Sequence, residues 1–132
     1  MCDPRVALVT GAGRGIGAAT VDRLCADGYL VIAVDSCTGI DAPAGVTYAL
    51  SSPADLKAVA ERNPDRVVPV VADVRDRTAL ADAALLAVER FGRLDAAVAA
   101  AAVIVGGHPL WETPTEHVQT LLDVDVAGVW NT

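Results

Sequence analysis

The stretch that most limits how this chain can fold is RVALVTGAGRGIG, residues 5–17, where a short apolar run gives way to four glycines. The apolar run predicts a strand covered on both faces. Gly11, Gly15 and Gly17 lack the Cβ that would keep a ligand away from the main chain, and they tolerate the positive φ of a tight turn. The helix expected after them would point its unpaired N–H groups at an anion. The stretch therefore predicts a phosphate-binding loop, although a plain turn would use the same glycines.

The rest of the chain alternates apolar runs with helical patterns, which indicates an α/β fold with a parallel sheet. Strands are expected at residues 6–9, 30–34, 67–72 and 96–100, and helices at 15–26, 53–62, 77–91 and from 114 onwards. Residues 36–51 show no period and predict a long loop, which in a compact domain is usually functional or mobile. The alanines of the fourth strand have poor strand propensity, so this strand requires burial or a nearby ligand.

The sequence also predicts helix caps and buried helix faces. Ser52 and Asp76 are expected to cap the second and third helices, and Thr113 with Glu116 forms a capping-box pattern before the last one. Apolar periodicity identifies the inner faces. These are expected to comprise Leu80, Ala84, Val88 and Phe91 in the third helix and Val118, Leu121 and Leu122 in the last, while Trp111 and Trp130 are expected to be packing residues.

Length and composition exclude several classes of protein. With 132 residues there is room for one domain, and a net charge of −7 with scattered arginines does not predict a nucleic-acid surface. Three cysteines without C-x-x-C spacing predict neither a disulfide framework nor a zinc site and favour a reducing cytoplasm. His108 and His117 lack metal-ligand spacing, so no metal is expected. No uncharged apolar run reaches the roughly 20 residues that span a bilayer, and the residues before Val6 do not resemble a signal peptide.

Two acidic residues stand where predicted strands end. Asp35 follows the second strand, about 20 residues after Gly15, where a carboxylate can accept hydrogen bonds from a ribose diol. Such a carboxylate repels the 2′-phosphate of NADP, so the sequence predicts a preference for NAD. Asp73 ends the third strand at the same sheet edge, where it could meet an adenine. A solvated acid after a strand is the alternative for both, and for Asp73 it is as strong as the functional reading.

These residues, taken in order, resemble the N-terminal half of the short-chain dehydrogenases/reductases. The resemblance lies in Thr10-Gly11-x-x-x-Gly15-x-Gly17, Asp35, Asp73-Val74 and Leu94-Asp95. It implies an α/β, Rossmann-type doubly wound parallel sheet that is incomplete, with strand order 3-2-1-4 and flanking helices. Residues 1–132 would then be an NAD-binding half-domain. The full-length relative would transfer hydride between NAD and a small alcohol or ketone, usually as a homo-oligomer.

The resemblance also implies cofactor contacts, position by position. They comprise Gly11, Arg14, Gly15, Ile16 and Gly17 at the pyrophosphate, Asp35 at the ribose, Asp73 and Val74 at the adenine, and the main chain of Ala99, Ala100 and Ala101. The family's Asn-Asn-Ala-Gly stretch falls on four alanines here, so any contribution of the asparagine side chains is lost. Its helix asparagine falls on Asp125, which when ionised accepts but cannot donate. A solvated or capping acid is the alternative for Asp125.

The family's catalytic serine and Tyr-x-x-x-Lys pair have no counterpart here. The two tyrosines, Tyr29 and Tyr48, are not followed by lysine four residues later, and Lys57 is the only lysine. The chain as given is therefore expected to end before the catalytic residues and to be inactive alone. A non-catalytic NAD-binding module or an inactive fragment is the alternative. A methyltransferase is less favoured, because Thr10 stands where such enzymes usually carry an acid.

A narrower resemblance is to the mycofactocin-coupled branch of the family. It rests on the long loop after Asp35, Tyr48-Ala49-Leu50, the run from Ala72 to Asp76, the stretch from Ala99 to Val103 and the stretch 109–112. In that branch the extra loop segment is associated with tightly held NAD that is recycled through the redox peptide mycofactocin. The resemblance thus implies that bound NAD does not exchange freely.

Overall fold

A parallel sheet of four strands forms the centre of the chain in the computed structural model, which describes residues 3–132. The sheet order is β3-β2-β1-β4, which confirms the predicted 3-2-1-4 topology. The strands are β1 (Val6–Thr10), β2 (Leu30–Asp35), β3 (Val67–Val71) and β4 (Ala96–Ala99). The helices are α1 (Gly15–Ala26), α2 (Pro53–Arg62), α3 (Arg77–Phe91), α4 (Thr115–Leu121) and α5 (Gly128–Asn131), with a π-helical segment (Leu122–Ala127) between the last two.

The two central strands are buried because helices cover both faces of the sheet. Val6 and Leu8 of β1 belong to a cluster with α3 and the π-helical segment. Val9 points to the opposite face and belongs to a cluster with α1 and α2. Alternate residues of a strand face opposite sides, so a continuous apolar run is what such a doubly covered strand requires. The edge strand β3 carries Pro69, as edge strands tolerate.

The alanine-rich β4 is attached to β1 through Asp95. The Val6 N–H donates to Asp95 Oδ2 at 2.8 Å, and the Asp95 N–H donates to the Val6 carbonyl at 2.8 Å. Arg93 Nη2 pairs with Asp95 Oδ1 at 2.5 Å. The hydrogen bond from Arg93, helped by the Val6 N–H, holds the pKa of Asp95 below its usual value. A strand of poor propensity is thus held in register by a side chain at its start.

Two of the three predicted caps are confirmed. Ser52 and Asp55 form a reciprocal capping box at α2, and Asp76 Oδ1 accepts from the Ala79 N–H at 3.0 Å at the start of α3. The capping box at Thr113 and Glu116 is wrong, because Thr113 instead ends a 3₁₀ turn (Leu110–Glu112) and donates to the Pro109 carbonyl at 3.1 Å. Helix α4 begins without any side-chain cap.

The predicted helix faces are only partly correct. In α3 the buried residues are Leu80, Ala83 and Ala87, while Ala84 and Phe91 are partly buried and Val88 is exposed. In the last helical region the buried residues are Thr120, Val124 and Gly128. These three residues lie four positions apart and form one face, which begins at Thr120, ahead of the π-helical turn. Trp111 and Trp130 are 85% and 82% exposed, so their expected packing role is wrong. Within residues 3–132, the helices are too short or too polar to cross a membrane.

Candidate functional site

A cavity of about 240 Å³ opens where the parallel strands end, at the carboxyl edge of the sheet. Ligands of open α/β sheets bind at this edge, where the strand order reverses. The volume is below the roughly 300–1,000 Å³ of typical small-molecule pockets, so the cavity has room for part of a dinucleotide. It is lined by Gly11, Arg14, Gly15, Ile16, Gly17, Asp35, Ser36, Thr38, Pro43, Leu50, Ser51, Ala72, Asp73, Val74, Arg75, Ala100, Ala101, Ala102, Val103 and Val124.

The glycines of the loop after β1 permit close packing of the backbone. A Cβ on Gly17 would lie 1.9 Å from the Gly11 carbonyl oxygen, so α1 can begin against the loop only if residue 17 has no side chain. A Cβ on Gly11 would lie 2.7 Å from the Ala101 backbone. Gly15, in contrast, has φ of +56° and open space where a Cβ would stand. The loop therefore brings the first turn of α1 to the cavity with its main chain accessible.

The N-terminus of α1 differs from those of α2 and α3. Its N-cap residue, Arg14, makes no side-chain cap, and the first turn contains no acidic residue. The other two helices are capped by Ser52 and Asp76. The first N–H groups of a helix have no partner within it. Those of α1 therefore remain able to bind an anion in the cavity, where Ile16, 82% exposed, also lies.

Asp35 lies at the end of β2, and its carboxylate is buried among hydrogen-bond donors. The Gly13 N–H donates to Oδ2 at 2.9 Å, the Cys37 N–H donates to Oδ1 at 3.0 Å, and the Ser51 hydroxyl also donates to Oδ1. Burial, with Asp35 nearby as the next cause, raises the pKa of the Cys37 thiol to about 11. The sequence identified Asp35 but missed Ser51, which is adjacent to the recognisable helix cap Ser52 and carries no signal of its own.

Asp73, at the carboxyl edge beyond β3, is paired with Arg75. Arg75 Nη2 lies 2.6 Å from Asp73 Oδ2, and the Arg75 N–H donates to Oδ1 at 2.9 Å. The hydrogen bond from the Arg75 side chain holds the pKa of Asp73 below its usual value. Both residues line the cavity, together with Val74. The sequence did not indicate this pairing, since Arg75 lies in a short loop whose geometry no periodic pattern reveals.

Residues 36–51, called the strap below, contribute Ser36, Thr38, Pro43, Leu50 and Ser51 to the cavity lining. Two backbone hydrogen bonds join the ends of the strap, from Gly39 N to Ser51 O at 3.0 Å and from Leu50 N to Gly39 O at 2.8 Å. Arg14 Nη1 donates to the Ala49 carbonyl at 2.7 Å, and its guanidinium lies 5.6 Å from the centre of the Tyr48 ring. The strap is thereby attached to the glycine loop.

The segment after β4 completes the site. Its residues 100–103 line the cavity, whereas Ala99 ends β4 and lies outside the lining. The Ile104 N–H donates to the Tyr48 hydroxyl at 2.8 Å, which links this segment to the strap. The Val103 N–H donates to Asp125 Oδ1 at 2.9 Å, so Asp125 acts as an acceptor within the π-helical segment. Residues 3–132 contain no cluster of side chains able to hold a metal ion.

This combination of parallel sheet, glycine loop and strand-end acid defines a Rossmann-type nucleotide-binding fold. The chain belongs to the short chain dehydrogenase family, whose model matches residues 5–132. An uncharacterized oxidoreductase of Mycobacterium tuberculosis is 41% identical over 97% of this chain, which corresponds to 45% of that protein. An uncharacterized NAD-dependent oxidoreductase of the same species is 37% identical, again over 97% of this chain and 46% of that protein.

Solved structures give the same assignment. Carveol dehydrogenase from Mycobacterium avium in complex with NAD is 36% identical with a TM-score of 0.90, over 98% of this chain and 47% of that one. A short chain dehydrogenase from Mycobacterium paratuberculosis bound to NAD is 38% identical with a TM-score of 0.87, over 98% of this chain and 48% of that one. The chain therefore spans about half the length of the relatives that it matches.

Proposed function

We propose that this chain binds NAD as the cofactor half of an oxidoreductase that acts on a small alcohol or ketone. The observation that carries the proposal is that the uncapped N-terminus of α1 and the Asp35 carboxylate line one cavity. Helix N–H groups suit the pyrophosphate, and a carboxylate suits the ribose hydroxyls. The NAD bound to two similar structures supports the same reading.

We propose roles for ten residues of the cavity lining and for Ala99, which precedes the lining residue Ala100. Gly11, Arg14, Gly15, Ile16 and Gly17 surround the pyrophosphate, and the Arg14 guanidinium adds positive charge beside it. Asp73 and Val74 contact the adenine. The main chain of Ala99, Ala100 and Ala101 contacts the cofactor further along the cleft. Asp35 accepts from the ribose and disfavours the 2′-phosphate of NADP by charge repulsion.

We do not expect this chain to catalyse hydride transfer by itself. Bound NAD supplies a hydride acceptor, but a catalytic tyrosine needs a neighbouring cation, since its free pKa is about 10. The guanidinium groups of Arg14 and Arg5 lie over the rings of Tyr48 and Tyr29, but neither tyrosine lines the cavity. The only lysine, Lys57, lies 3.5 Å from Glu61. Hydride transfer would therefore require residues outside this sequence. The second candidate is a non-catalytic NAD-binding module, which the cavity lined by the α1 N-terminus and Asp35 favours equally.

The strap supports a finer proposal, namely that NAD is retained as in the mycofactocin-coupled branch. The strap is fastened to the glycine loop by Arg14 and to the segment after β4 by Tyr48. A cofactor beneath it would leave only when these contacts open.

We also propose a reducing cytoplasm as the compartment, consistent with the free thiols of Cys25 and Cys37, and a homo-oligomer as the working assembly.

Isothermal titration with NAD, NADP and S-adenosylmethionine tests the proposal. NAD is expected to bind most tightly, and Asp35→Ala should weaken its binding roughly 10- to 100-fold, the effect of losing a charged acceptor. Asp41→Ala is the matched control, because Asp41 is an exposed strap carboxylate outside the cavity lining. Tighter binding of NADP or S-adenosylmethionine than of NAD would overturn the assignment. If the 132-residue chain oxidised an alcohol with NAD, only the expectation that it is inactive alone would be overturned.

A further inference from the structure

The Ser51 hydroxyl is a buried polar group that the family motifs leave without a role. Ser51 is 4% exposed, lines the cavity beside Asp35, and uses its single proton to donate to Asp35 Oδ1. A hydroxyl oxygen also has two acceptor positions. Among residues 3–132, no group donates a hydrogen bond to Ser51 Oγ. Its acceptor capacity is therefore available to a ligand.

Asp35 has too few acceptor positions left for two ribose hydroxyls. A carboxylate offers about four lone-pair positions. Cys37 N–H and the Ser51 hydroxyl both occupy Oδ1, and the Gly13 N–H occupies one position on Oδ2. One position remains, on Oδ2, whereas the adenosine ribose of NAD presents two hydroxyl donors. A second acceptor beside Asp35 is needed if both hydroxyls are to be bound.

We propose that Ser51 is this second acceptor, so that Asp35 Oδ2 binds one hydroxyl of the adenosine ribose and Ser51 Oγ binds the other. The inference rests on the proposed NAD binding and adds a specificity-determining residue to it. Because the Ser51 proton is committed to Asp35, the hydroxyl faces the ligand as an acceptor only. Asp35 and Ser51 therefore favour a ribose diol, whose hydroxyls donate hydrogen bonds. They disfavour a 2′-phosphate, whose oxygens only accept them.

Gly13, the remaining glycine of the loop after β1, fits this arrangement. A Cβ on Gly13 would lie 2.8 Å from Ser51 Cβ, 3.0 Å from Ser51 Oγ and 3.0 Å from Asp35 Oδ2. Gly13 thus leaves the space in which the serine and the carboxylate meet, and its N–H orients the carboxylate. The Gly39 N–H, 3.0 Å from the Ser51 carbonyl, fixes the serine backbone from the strap side. The hydroxyl is therefore held in place from both directions.

The test compares NAD with analogues that lack the 2′- or the 3′-hydroxyl of the adenosine ribose. The unmodified chain should bind NAD more tightly than either analogue. Ser51→Ala should weaken NAD binding roughly 3- to 10-fold, the effect of one neutral hydrogen bond. It should also abolish discrimination against one deoxy analogue and keep discrimination against the other. Ser51→Cys, which keeps the shape of the side chain but replaces the oxygen with a larger sulfur that accepts poorly, should behave in the same way and serves if the alanine variant does not fold.

Ser52→Ala is the control, because it removes the neighbouring hydroxyl, which caps α2. It should lower the melting temperature of the free protein and leave the affinity ratios of NAD to both analogues unchanged. If Ser51→Ala and Ser51→Cys weaken NAD and both analogues equally, Ser51 is structural and the inference is wrong, while NAD binding stands. If the unmodified chain binds no NAD, the proposed function and this inference both fall.

Discussion

At the scale of single residues, the glycines of the loop after β1 are not equivalent. A Cβ on Gly17 would overlap the Gly11 carbonyl, whereas one on Gly15 would meet open space. Gly17→Ala should therefore cost more than about 4 kcal/mol, in the range of severe steric conflict. Gly15→Ala should cost roughly 1–2 kcal/mol, because alanine is strained at positive φ. Urea denaturation measures both, and equal losses for the two variants would contradict the steric argument.

The role of Asp125 is to accept a hydrogen bond. Asp125 Oδ1 takes the Val103 N–H at 2.9 Å, and an asparagine carbonyl could do the same. Asp125→Asn should change the free energy of unfolding by less than about 0.5 kcal/mol, while Asp125→Ala should cost about 1 kcal/mol. Both variants are compared by thermal unfolding. A loss for the asparagine variant as large as for alanine would mean that the charge of Asp125 is needed.

How far the sequence predicts the site depends on whether regular secondary structure connects the partners. Asp35 could be predicted because its spacing from the glycine loop follows from one strand-helix-strand unit. Ser51, which lines the cavity, and Tyr48, which holds Ile104, could not, since both lie in the strap, whose path is not governed by any period. The cap at Ser52 was predictable because it depends on residues 52–55 alone. The similar pattern at Thr113 failed because a preceding 3₁₀ turn had already used that residue.

At the scale of elements, the junction of β1 and β4 should respond to acid. Arg93 and the Val6 N–H lower the pKa of Asp95 in the folded protein. A lowered carboxyl pKa contributes stability above the unfolded value of about 3.9, and this contribution is lost as the pH falls through the folded pKa. Asp95→Asn should therefore reduce the dependence of stability on pH below about pH 4.

The measurement for Asp95 is a series of urea titrations between neutral and acidic pH. Asp3→Asn is a suitable control, since Asp3 is an exposed aspartate that precedes β1 and for which the structure records no hydrogen bond or ion pair. Its variant should keep the acid sensitivity of the original chain. An unchanged pH profile for Asp95→Asn would contradict the assignment of acid sensitivity to the β1–β4 junction.

The strap is the element whose attachment should govern cofactor exchange. Tyr48→Phe removes the acceptor for the Ile104 N–H and keeps the ring beneath Arg14. Under the proposed function, NAD should dissociate roughly 3- to 10-fold faster from this variant, as expected for one lost hydrogen bond. Stopped-flow displacement measures the rate. Tyr29→Phe, at a tyrosine that lies under Arg5 and outside the cavity lining, should leave it unchanged. Equal NAD dissociation rates for the unmodified chain, Tyr48→Phe and Tyr29→Phe would mean that the Tyr48 contact does not govern cofactor release.

At the scale of the whole molecule, the two apolar clusters lie on opposite faces of the sheet, yet large apolar side chains remain at the surface. Leu110 and Trp111, neighbours in the 3₁₀ turn, are 84% and 85% exposed. Edge strand β4 adds unpaired backbone groups, which invite pairing with another chain. The apolar run of β1 predicted a strand buried on both faces, but the apolar pattern predicted neither these exposed residues nor the partly exposed edge strands β3 and β4. Hydrophobicity alone does not say whether a neighbouring element covers a side chain.

Exposed apolar pairs of this kind favour self-association of the 132-residue chain, since burying each large side chain is worth roughly 1.5–3 kcal/mol. Sedimentation velocity should reveal concentration-dependent dimers or larger species. Replacing Leu110 and Trp111 together by serine should shift the equilibrium towards monomer at least tenfold. Leu85→Ser is the control, because Leu85 is a 57% exposed apolar residue on α3. A monomer at every concentration would contradict self-association, whereas equal shifts for both changes would exclude the 3₁₀ turn from the association surface.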